Sequence, residues 1–231
     1  MQSQSWELVS QWWADLLGLD AADLWRPGVT VTAHARLTDD DGLVVVERED
    51  GVHVSAPSWL GRSEAAYLTQ RAGAELLERR FWSEWPPVGE RKADRAVVHA
   101  YTDRQVEPAG HVERIDPAEV ASWEDIVSPR KWRASGFDEH VNDAFGVRSH
   151  GSLAAASNLT RFRGSPPTLG ILTHPAHRGQ GFATRVARTA TAAAVQQQGS
   201  ARYRSEADHA RSQAIGRTLG YEPYCRALSV R

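Results

Sequence analysis

Residues 168–186, TLGILTHPAHRGQGFATRV, decide the fold of this chain. The apolar run at 169–172 predicts a short buried strand, which ends before Pro175. A turn at 178–181 follows, with glycine at its second and fourth positions, and it opens into an alanine-rich pattern with helical spacing. The predicted order is therefore strand, glycine turn and helix.

This order predicts an anion-binding loop. Gly179 and Gly181 carry no side chain that would keep an anion away, and they allow unusual backbone angles, so successive N–H groups can converge on one anion. The start of the helix adds its unpaired donors and the positive end of its dipole. Arg178 offers a charge-assisted partner worth roughly 1.5–3 kcal/mol when the contact is well made.

Two motifs carry a family resemblance. Residues 176–181, AHRGQG, resemble the acetyl-coenzyme A loop Q/R-x-x-G-x-G/A of the GCN5-related N-acetyltransferases (GNAT superfamily), with Ala176 where Gln or Arg is usual. Residues 209–221 resemble the later motif of that family, N-x-x-S on a helix ending in L-G-F. There His209 replaces Asn, Ser212 is retained and Tyr221 replaces Phe. The resemblance covers about residues 112–231.

The resemblance implies a fold and a cofactor. The fold is α+β in three α/β/α layers, with a mixed, mostly antiparallel central sheet and, in this chain, an N-terminal α+β extension. The cofactor is acetyl-coenzyme A. The implied cofactor-binding residues follow the strand, the turn, the helix start and the second motif: Ile171, Leu172, Thr173, Arg178, Gly179, Gln180, Gly181, Phe182, Ala183, Thr184, His209 and Ser212.

The resemblance also implies a reaction, in which an amine attacks the thioester carbonyl directly in the gap between two diverging central strands. The amine must be neutral, the carbonyl polarised, and the leaving thiolate must receive a proton. Deprotonating a lysine-like amine at pH 7 costs about 3.4 pK units, or roughly 4.6 kcal/mol. A base, or water leading to one, is therefore useful.

No carboxylate stands where the family often places one, near the start of the strand, because residues 168–170 read TLG. His174, at the end of that strand, is the nearest titratable group and could act as a base through water. The alternative is that His174 fixes the turn before Pro175.

The proton donor is also displaced from its family position. Many relatives carry Tyr four residues before the last glycine of the second motif, where this chain has Gly216. We predict that Tyr224 is the donor, with Tyr221 and Ser212 as alternatives. Ser212 could instead cap its helix or contact the cofactor.

Composition limits the other classes of function. A length of 231 residues fits one to two domains, and the formal charge of −2 gives no electrostatic reason to expect nucleic acid. The single cysteine, Cys225, cannot form an internal disulfide, no apolar run is long enough to span a membrane, and no metal site is predicted. The N-terminus lacks the pattern of a signal peptide, so a cytoplasmic protein is the default expectation.

A polar stretch at 103–110 places a domain boundary, which gives an N-terminal α+β domain at 1–108 and an acetyltransferase domain at 109–231. The first domain matches no family motif and is either a degenerate copy of the same fold or an extra sheet that shapes the acceptor site. We predict His34 on the solvated face of a strand. The predicted elements are a helix at 5–18, strands at 29–37, 43–47 and 52–56, a helix at 63–80 and a strand at 96–101.

The second domain is predicted to alternate strands with helices. Its elements are strands at 112–115, 144–147, 153–159, 169–172, 201–205 and 224–230, and helices at 118–127, 182–197 and 210–219. Trp123, Trp132 and Phe137 lie in the region that borders the acceptor in the family, and they either hold a substrate or belong to the core.

These observations lead to an expected function. The first hypothesis is an acetyl-coenzyme A-dependent N-acetyltransferase for a primary amine of a small molecule or peptide, without nucleic acid or membrane partners and compatible with a homodimer. The second is a non-catalytic acyl-coenzyme A sensor or interaction module. The third, ranked last, is a site for another phosphate compound.

Overall fold

The last strand of the chain pairs with a strand from its beginning, so no single point in the sequence divides the fold. The computed structural model describes residues 4–231, with side chains from Trp6 onward. Within this range, unit 1 holds residues 4–99, 205–209 and 223–231, and unit 2 holds residues 100–204 and 210–222. The predicted boundary after residue 108 lies inside unit 2, because composition marks a polar stretch and not the strand pairing that closes a unit.

Unit 1 contains a small mixed sheet in the order β1-β3-β2-β10. Strand β1 runs parallel to β3, whereas β2 is antiparallel to both β3 and β10. Its elements are α1 (Gln4–Leu17), β1 (Gly28–Ala33), β2 (Leu43–Arg48), β3 (Gly51–Ala56), α2 (Arg62–Leu68), α3 (Arg79–Glu84), the first half of β4 (Val97–Thr102) and, from Pro223 onward, β10 (Glu222–Val230).

The helix predicted at 63–80 is wrong as a continuous element. Helix α2 ends at Leu68, a 3₁₀ helix follows at Gly73–Leu77, and α3 begins at Arg79. The break has a packing cause, since a Cβ atom at Gly73 would lie 2.5 Å from the Val52 side chain. Leu68 and Leu76 stand at the spacing of a helix because both are buried, although no single helix contains both.

Two more local predictions need correction. Strand β1 ends at Ala33, and His34 is half-buried with its Nδ1 2.8 Å from Ser55 Oγ, so it is not the solvated residue predicted. The helix predicted at 118–127 is only one turn long at Ala118–Ala121.

Unit 2 has three layers around the sheet order β9-β8-β7-β6-β5. Only β8 and β9 are parallel, so the prediction of a mixed, mostly antiparallel sheet is confirmed. The elements are β5 (Val112–Arg114), α4 (Ala118–Ala121), α5 (Pro129–Ser135), β6 (Asp143–Ser149), β7 (Ser152–Thr160), β8 (Thr168–Thr173), α6 (Phe182–Gln198), β9 (Ala201–Glu206) and α7 (Ala210–Thr218).

The two faces of this sheet bury different helices. Ile171 packs with residues of α6 and α7, whereas the next residue, Leu172, packs with Val120, Trp123 and Trp132 of the α4–α5 region. Neighbouring residues of a strand point to opposite faces, so helices cover both sides of β8.

Strand β8 is clamped at Gly170 by buried polar groups. The Asn158 side chain donates from Nδ2 to the Ser135 carbonyl and accepts the Gly170 N–H at Oδ1, each at 3.0 Å. Ser157 Oγ donates to the Gly170 carbonyl at 2.8 Å. The end of α5 therefore lies directly against the strand, and a Cβ atom at Gly170 would overlap the Ser135 carbonyl oxygen.

We expect Gly170→Ala to lower the free energy of unfolding by about 1–3 kcal/mol, because overpacking must displace α5 or distort β8. Gly110→Ala is the matched control, since Gly110 has open space around it and no positive φ angle. Denaturant unfolding of both variants tests the clamp. Equal stability of the two variants would show that α5 moves aside without lowering the free energy of unfolding.

A buried histidine in unit 1 contacts two threonines and is kept neutral by its burial. Thr32 Oγ1 donates to the Leu17 carbonyl, so its oxygen can accept from His53 Nε2 at 3.0 Å, and Thr30 Oγ1 then donates to Nδ1 at 2.6 Å. The side chain is 1% exposed, and this burial lowers the pKa of His53 from its ordinary value of 6.5 to about 4.

We expect this histidine to make unit 1 acid-sensitive. The unfolded chain binds a proton near pH 6.5 and the native state only near pH 4, so stability is full above pH 6.5 and falls as the pH drops toward 4. The difference corresponds to about 3 kcal/mol. Unfolding measured across this range should depend less on pH in His53→Gln, and identical pH dependence would contradict the assignment.

Candidate cofactor-binding and active site

The central strands of unit 2 diverge after the second residue of β8. Pairing between β8 and β9 covers only Thr168 with Arg202 and Leu169 with Tyr203, whereas β8 stays paired with β7 as far as Thr173. One edge of β8 beyond Leu169 therefore opens into a gap.

The backbone groups that face this gap follow from strand alternation. The Arg202 N–H donates to the Pro167 carbonyl at 2.8 Å, which places the polar groups of residue 167 toward β9. Every second residue shares that direction, so the N–H and C=O groups of Ile171 and Thr173 also point to this side. They are available to an extended ligand that adds to the edge of β8.

His174 makes the turn at the end of β8. Its Nδ1 accepts the Ala176 N–H at 3.3 Å, and its carbonyl accepts the His177 N–H at 2.9 Å, which closes the 3₁₀ helix Pro175–His177. This contact places the proton of the neutral ring on Nε2. His174 therefore fixes the turn, and its action as a base at Nε2 stays a prediction that requires the other tautomer.

The glycine turn has the backbone geometry expected of an anion-binding loop. Gly179 and Gly181 both have a φ angle of 79°, and a Cβ atom at either position would meet no atom within 4 Å. Gly181 is the N-cap of α6, and the first backbone bond back to it comes from Arg185 at 3.3 Å. The N–H groups of residues 182–184 therefore have no carbonyl partner within the helix.

The structure brings most of the predicted cofactor residues together. Residues 178–184 form the turn and the first turn of α6, Arg178 is exposed beside them, and residues 171–173 line the end of β8 that leads into this loop. An open loop with converging N–H groups and a nearby guanidinium fits a pyrophosphate. Binding by these residues stays a prediction.

The second motif is divided between the units. His209 is exposed and lies in the 205–209 segment of unit 1, whereas Ser212 lies in the first turn of α7 in unit 2. Ser212 Oγ is 2.5 Å from the hydroxyl of Tyr203. Tyr221 is buried and bonds Thr191 Oγ1 at 3.0 Å, and burial raises the pKa of its phenol far above the ordinary value.

Tyr224 lies in a cluster of unit 1 side chains. Its hydroxyl accepts from Trp25 Nε1 at 3.1 Å and is 2.7 Å from Ser10 Oγ, while its ring stacks on Trp6 and beneath the Arg48 guanidinium. Burial raises the pKa of Tyr224, partly offset by these hydrogen bonds and by Arg48. Its role as proton donor stays a prediction.

Sequence reasoning did not single out Tyr203. This tyrosine is the last residue of β9 that pairs with β8, and its hydroxyl bonds the serine of the second motif. The available signal was Gly216, because a Cβ atom there would lie 3.1 Å from Tyr203 Cδ1. The missing side chain on α7 makes room for the ring of the strand residue.

The aromatic residues near the expected acceptor region belong to the core. Trp123 and Trp132 are buried around Val120 and Leu172, and Phe137 stacks on Trp132 with centroids 6.2 Å apart. The edge of Trp123 nevertheless contacts His174, with ring centroids 5.5 Å apart. The core thereby supports the turn at the end of β8.

Within the described residues 4–231, no three or more His, Cys, Asp or Glu side chains group as metal ligands. None of the helices described is both long enough and apolar enough to cross a membrane.

Comparison with known proteins gives one family and several similar structures. A family model described as the GNAT acetyltransferase domain matches residues 87–222, more than half of the chain. No curated protein matches the chain.

Three solved structures illustrate the structural likeness. A GNAT-family acetyltransferase from Novosphingobium aromaticivorans is 19% identical, with a TM-score of 0.48 over 60% of this chain and 64% of the other. A GCN5-related N-acetyltransferase from Kribbella flavida is 22% identical, with a TM-score of 0.45 over 61% and 59%. A Drosophila protein is 13% identical, with a TM-score of 0.50 over 86% and 64%. The chain thus covers less than two thirds of each of these structures.

The family match includes β8, the glycine turn and α6, the same elements that form the gap and the anion-binding loop. Because the matching model spans more than half of the sequence, this chain belongs to the GCN5-related N-acetyltransferase (GNAT) superfamily.

Proposed function

We propose that this protein is an acetyl-coenzyme A-dependent N-acetyltransferase that modifies the primary amine of a small molecule or peptide by direct attack. One observation carries the proposal: pairing of β8 with β9 ends at Leu169, and the unpaired remainder of β8 leads to the glycine turn that opens the N-terminus of α6. Along the chain, a strand edge suited to the extended pantetheine arm is thus followed by backbone N–H donors suited to the pyrophosphate.

The roles of the residues follow from their chemistry. The N–H groups of residues 182–184 and the open glycine turn bind the pyrophosphate, with Arg178 as the nearby cation. The backbone of Ile171 and Thr173 binds the amide groups of the pantetheine arm. Acetyl-coenzyme A supplies the activated acyl group when bound, and the chain orients it.

Deprotonation of the acceptor needs a group other than a β8 carboxylate. Position 170 has no room for any side chain beside the Ser135 carbonyl, so the strand cannot carry a carboxylate there. His174 is half-buried at the end of the strand and is our proposed base, acting through water.

The absence of a carboxylate from β8 favours a second candidate function. A GNAT fold that binds acyl-coenzyme A and lacks a base would act as a sensor or interaction module. The two functions differ in turnover: the enzyme releases free thiol from acetyl-coenzyme A with some amine, whereas the sensor binds it and releases none with any acceptor.

We expect Gly181→Glu to weaken acetyl-coenzyme A binding at least about 100-fold, because its carboxylate would project into the loop and repel the pyrophosphate. Gly199→Glu is the matched control: Gly199 caps the other end of α6, has a φ angle of 73° and is equally open. Calorimetric titration with acetyl-coenzyme A measures both variants.

Comparison of the two variants distinguishes loss of the cofactor site from general damage to the protein. Binding by the native protein and by Gly199→Glu, with loss in Gly181→Glu, supports the loop as the cofactor site. Equal loss in both variants assigns the effect to the backbone strain that they share. No submillimolar binding by the native protein overturns the acetyltransferase and the sensor together.

We expect thiol release from acetyl-coenzyme A to depend on an added amine. A panel of aminoglycosides, polyamines and peptides with a free N-terminus or lysine covers the proposed acceptor classes, and the thiol is measured colorimetrically. Release that rises with amine concentration supports the enzyme. Tight binding without release across the panel favours the sensor.

A further inference from the structure

Tyr203 stands at the base of the gap between the central strands. It is the last β9 residue that pairs with β8, opposite Leu169. Its side chain is 5% exposed and packs in one cluster with Ala187 and Ala190 of α6 and with Leu219, the residue after α7. The ring therefore lies on the same face as the helix whose N-terminus forms the anion-binding loop.

Gly216 of helix α7 leaves space for the ring of Tyr203. Gly216 is buried, and a Cβ atom there would lie 3.1 Å from Tyr203 Cδ1 and 3.4 Å from Cε1. Both distances are shorter than ordinary van der Waals contact, so a larger residue would push the ring away. Glycine in a helix interior costs roughly 0.5–1 kcal/mol relative to alanine, which makes this close approach a costly feature of α7.

The hydroxyl of Tyr203 has one defined neighbour. Ser212 Oγ lies 2.5 Å away on the first turn of α7, and Ser212 itself is half-buried. Burial raises the pKa of Tyr203 above 10.0, and the bond to Ser212 offsets part of that rise. At neutral pH the phenol keeps its proton, which suits an acid and not a base.

We propose that Tyr203, in place of Tyr224, is the acid that protonates the departing sulfur of coenzyme A, with Ser212 as its hydrogen-bond donor. The inference rests on the proposed acetyltransferase function. As the amine nitrogen bonds to the acetyl carbon and the carbon–sulfur bond breaks, the sulfur keeps the electron pair and takes the Tyr203 proton. The Ser212 O–H stabilises the phenolate, which regains a proton from water, and the nitrogen loses its own proton to solvent.

Tyr221, the neighbouring tyrosine of unit 2, has a different hydrogen-bond partner. The hydroxyl of Tyr221 bonds Thr191 on the inner face of α6, and its ring centroid is 5.5 Å from that of Tyr203. Both phenols are buried in the same cluster, but only Tyr203 belongs to the strand that borders the gap. Tyr221 is therefore a matched control for loss of a buried hydroxyl.

The test measures the thiol itself and does not require a known acceptor. Free coenzyme A is bound to the native protein, to Tyr203→Phe and to Tyr221→Phe, and the pKa of the bound thiol is followed by the ultraviolet absorbance of the thiolate. A donor aimed at the sulfur stabilises the thiolate, so Tyr203→Phe should raise the thiol pKa by about one to two units. Melting temperatures and calorimetric affinities show whether each variant stays folded and binds.

A raised thiol pKa in Tyr203→Phe alone supports the assignment, and thiol release with an identified amine should then fall by about 100-fold or more at unchanged affinity. An unchanged thiol pKa in Tyr203→Phe overturns the inference and leaves the proposed function standing. Equal shifts in both variants also overturn it, because they reflect the shared cluster. Failure of the native protein to bind coenzyme A would overturn the proposed function, and the inference with it.

Discussion

The early end of pairing between β8 and β9 is the constraint on which the candidate site depends. Two parallel strands that separate after two pairs of residues expose the edge of β8, and an exposed edge survives only if the strand is held from elsewhere. Strand β7 holds it along its whole length, and the Asn158 amide ties it to the end of α5. The rigidity of β8 therefore comes from the side opposite the gap, which leaves the gap edge available to a ligand.

The features of the loop that suit an anion are local dipoles and not total charge. The chain carries a formal charge of −2, yet the turn at 178–181 combines an exposed guanidinium with two glycines in the left-handed region and the start of a 17-residue helix. Backbone N–H groups are already oriented by the fold, so they bind without losing side-chain entropy. The absence of a long polar side chain at Ala176 is compatible with this arrangement, because the principal donors belong to the backbone.

Sequence patterns predicted the elements whose causes are local. The glycine turn, α6 and the β6–β7 hairpin follow from glycine angles and from residue spacing, and all three lie within one or two residues of their predicted bounds. The break in the helix predicted at 63–80 depends on Val52, far away in the sequence, and the pairing of β2 with β10 joins the two ends of the chain. Contacts of this kind leave no periodic trace, so a single sequence cannot reveal them.

The sequence alone also gives an incomplete account of the acids and bases at the candidate site. The sequence shows that Thr168, Leu169 and Gly170 provide no carboxylate, but only the structure gives the reason, because the Ser135 carbonyl occupies the space beside Gly170. A second glycine has the opposite effect: the small residue at 216 admits the ring of Tyr203, a residue that no motif marks. The first glycine thus marks a position of β8 that can hold no base, and the second makes room for a phenol beside the gap. The packing that makes the sheet rigid therefore also decides which acids and bases can reach the reaction.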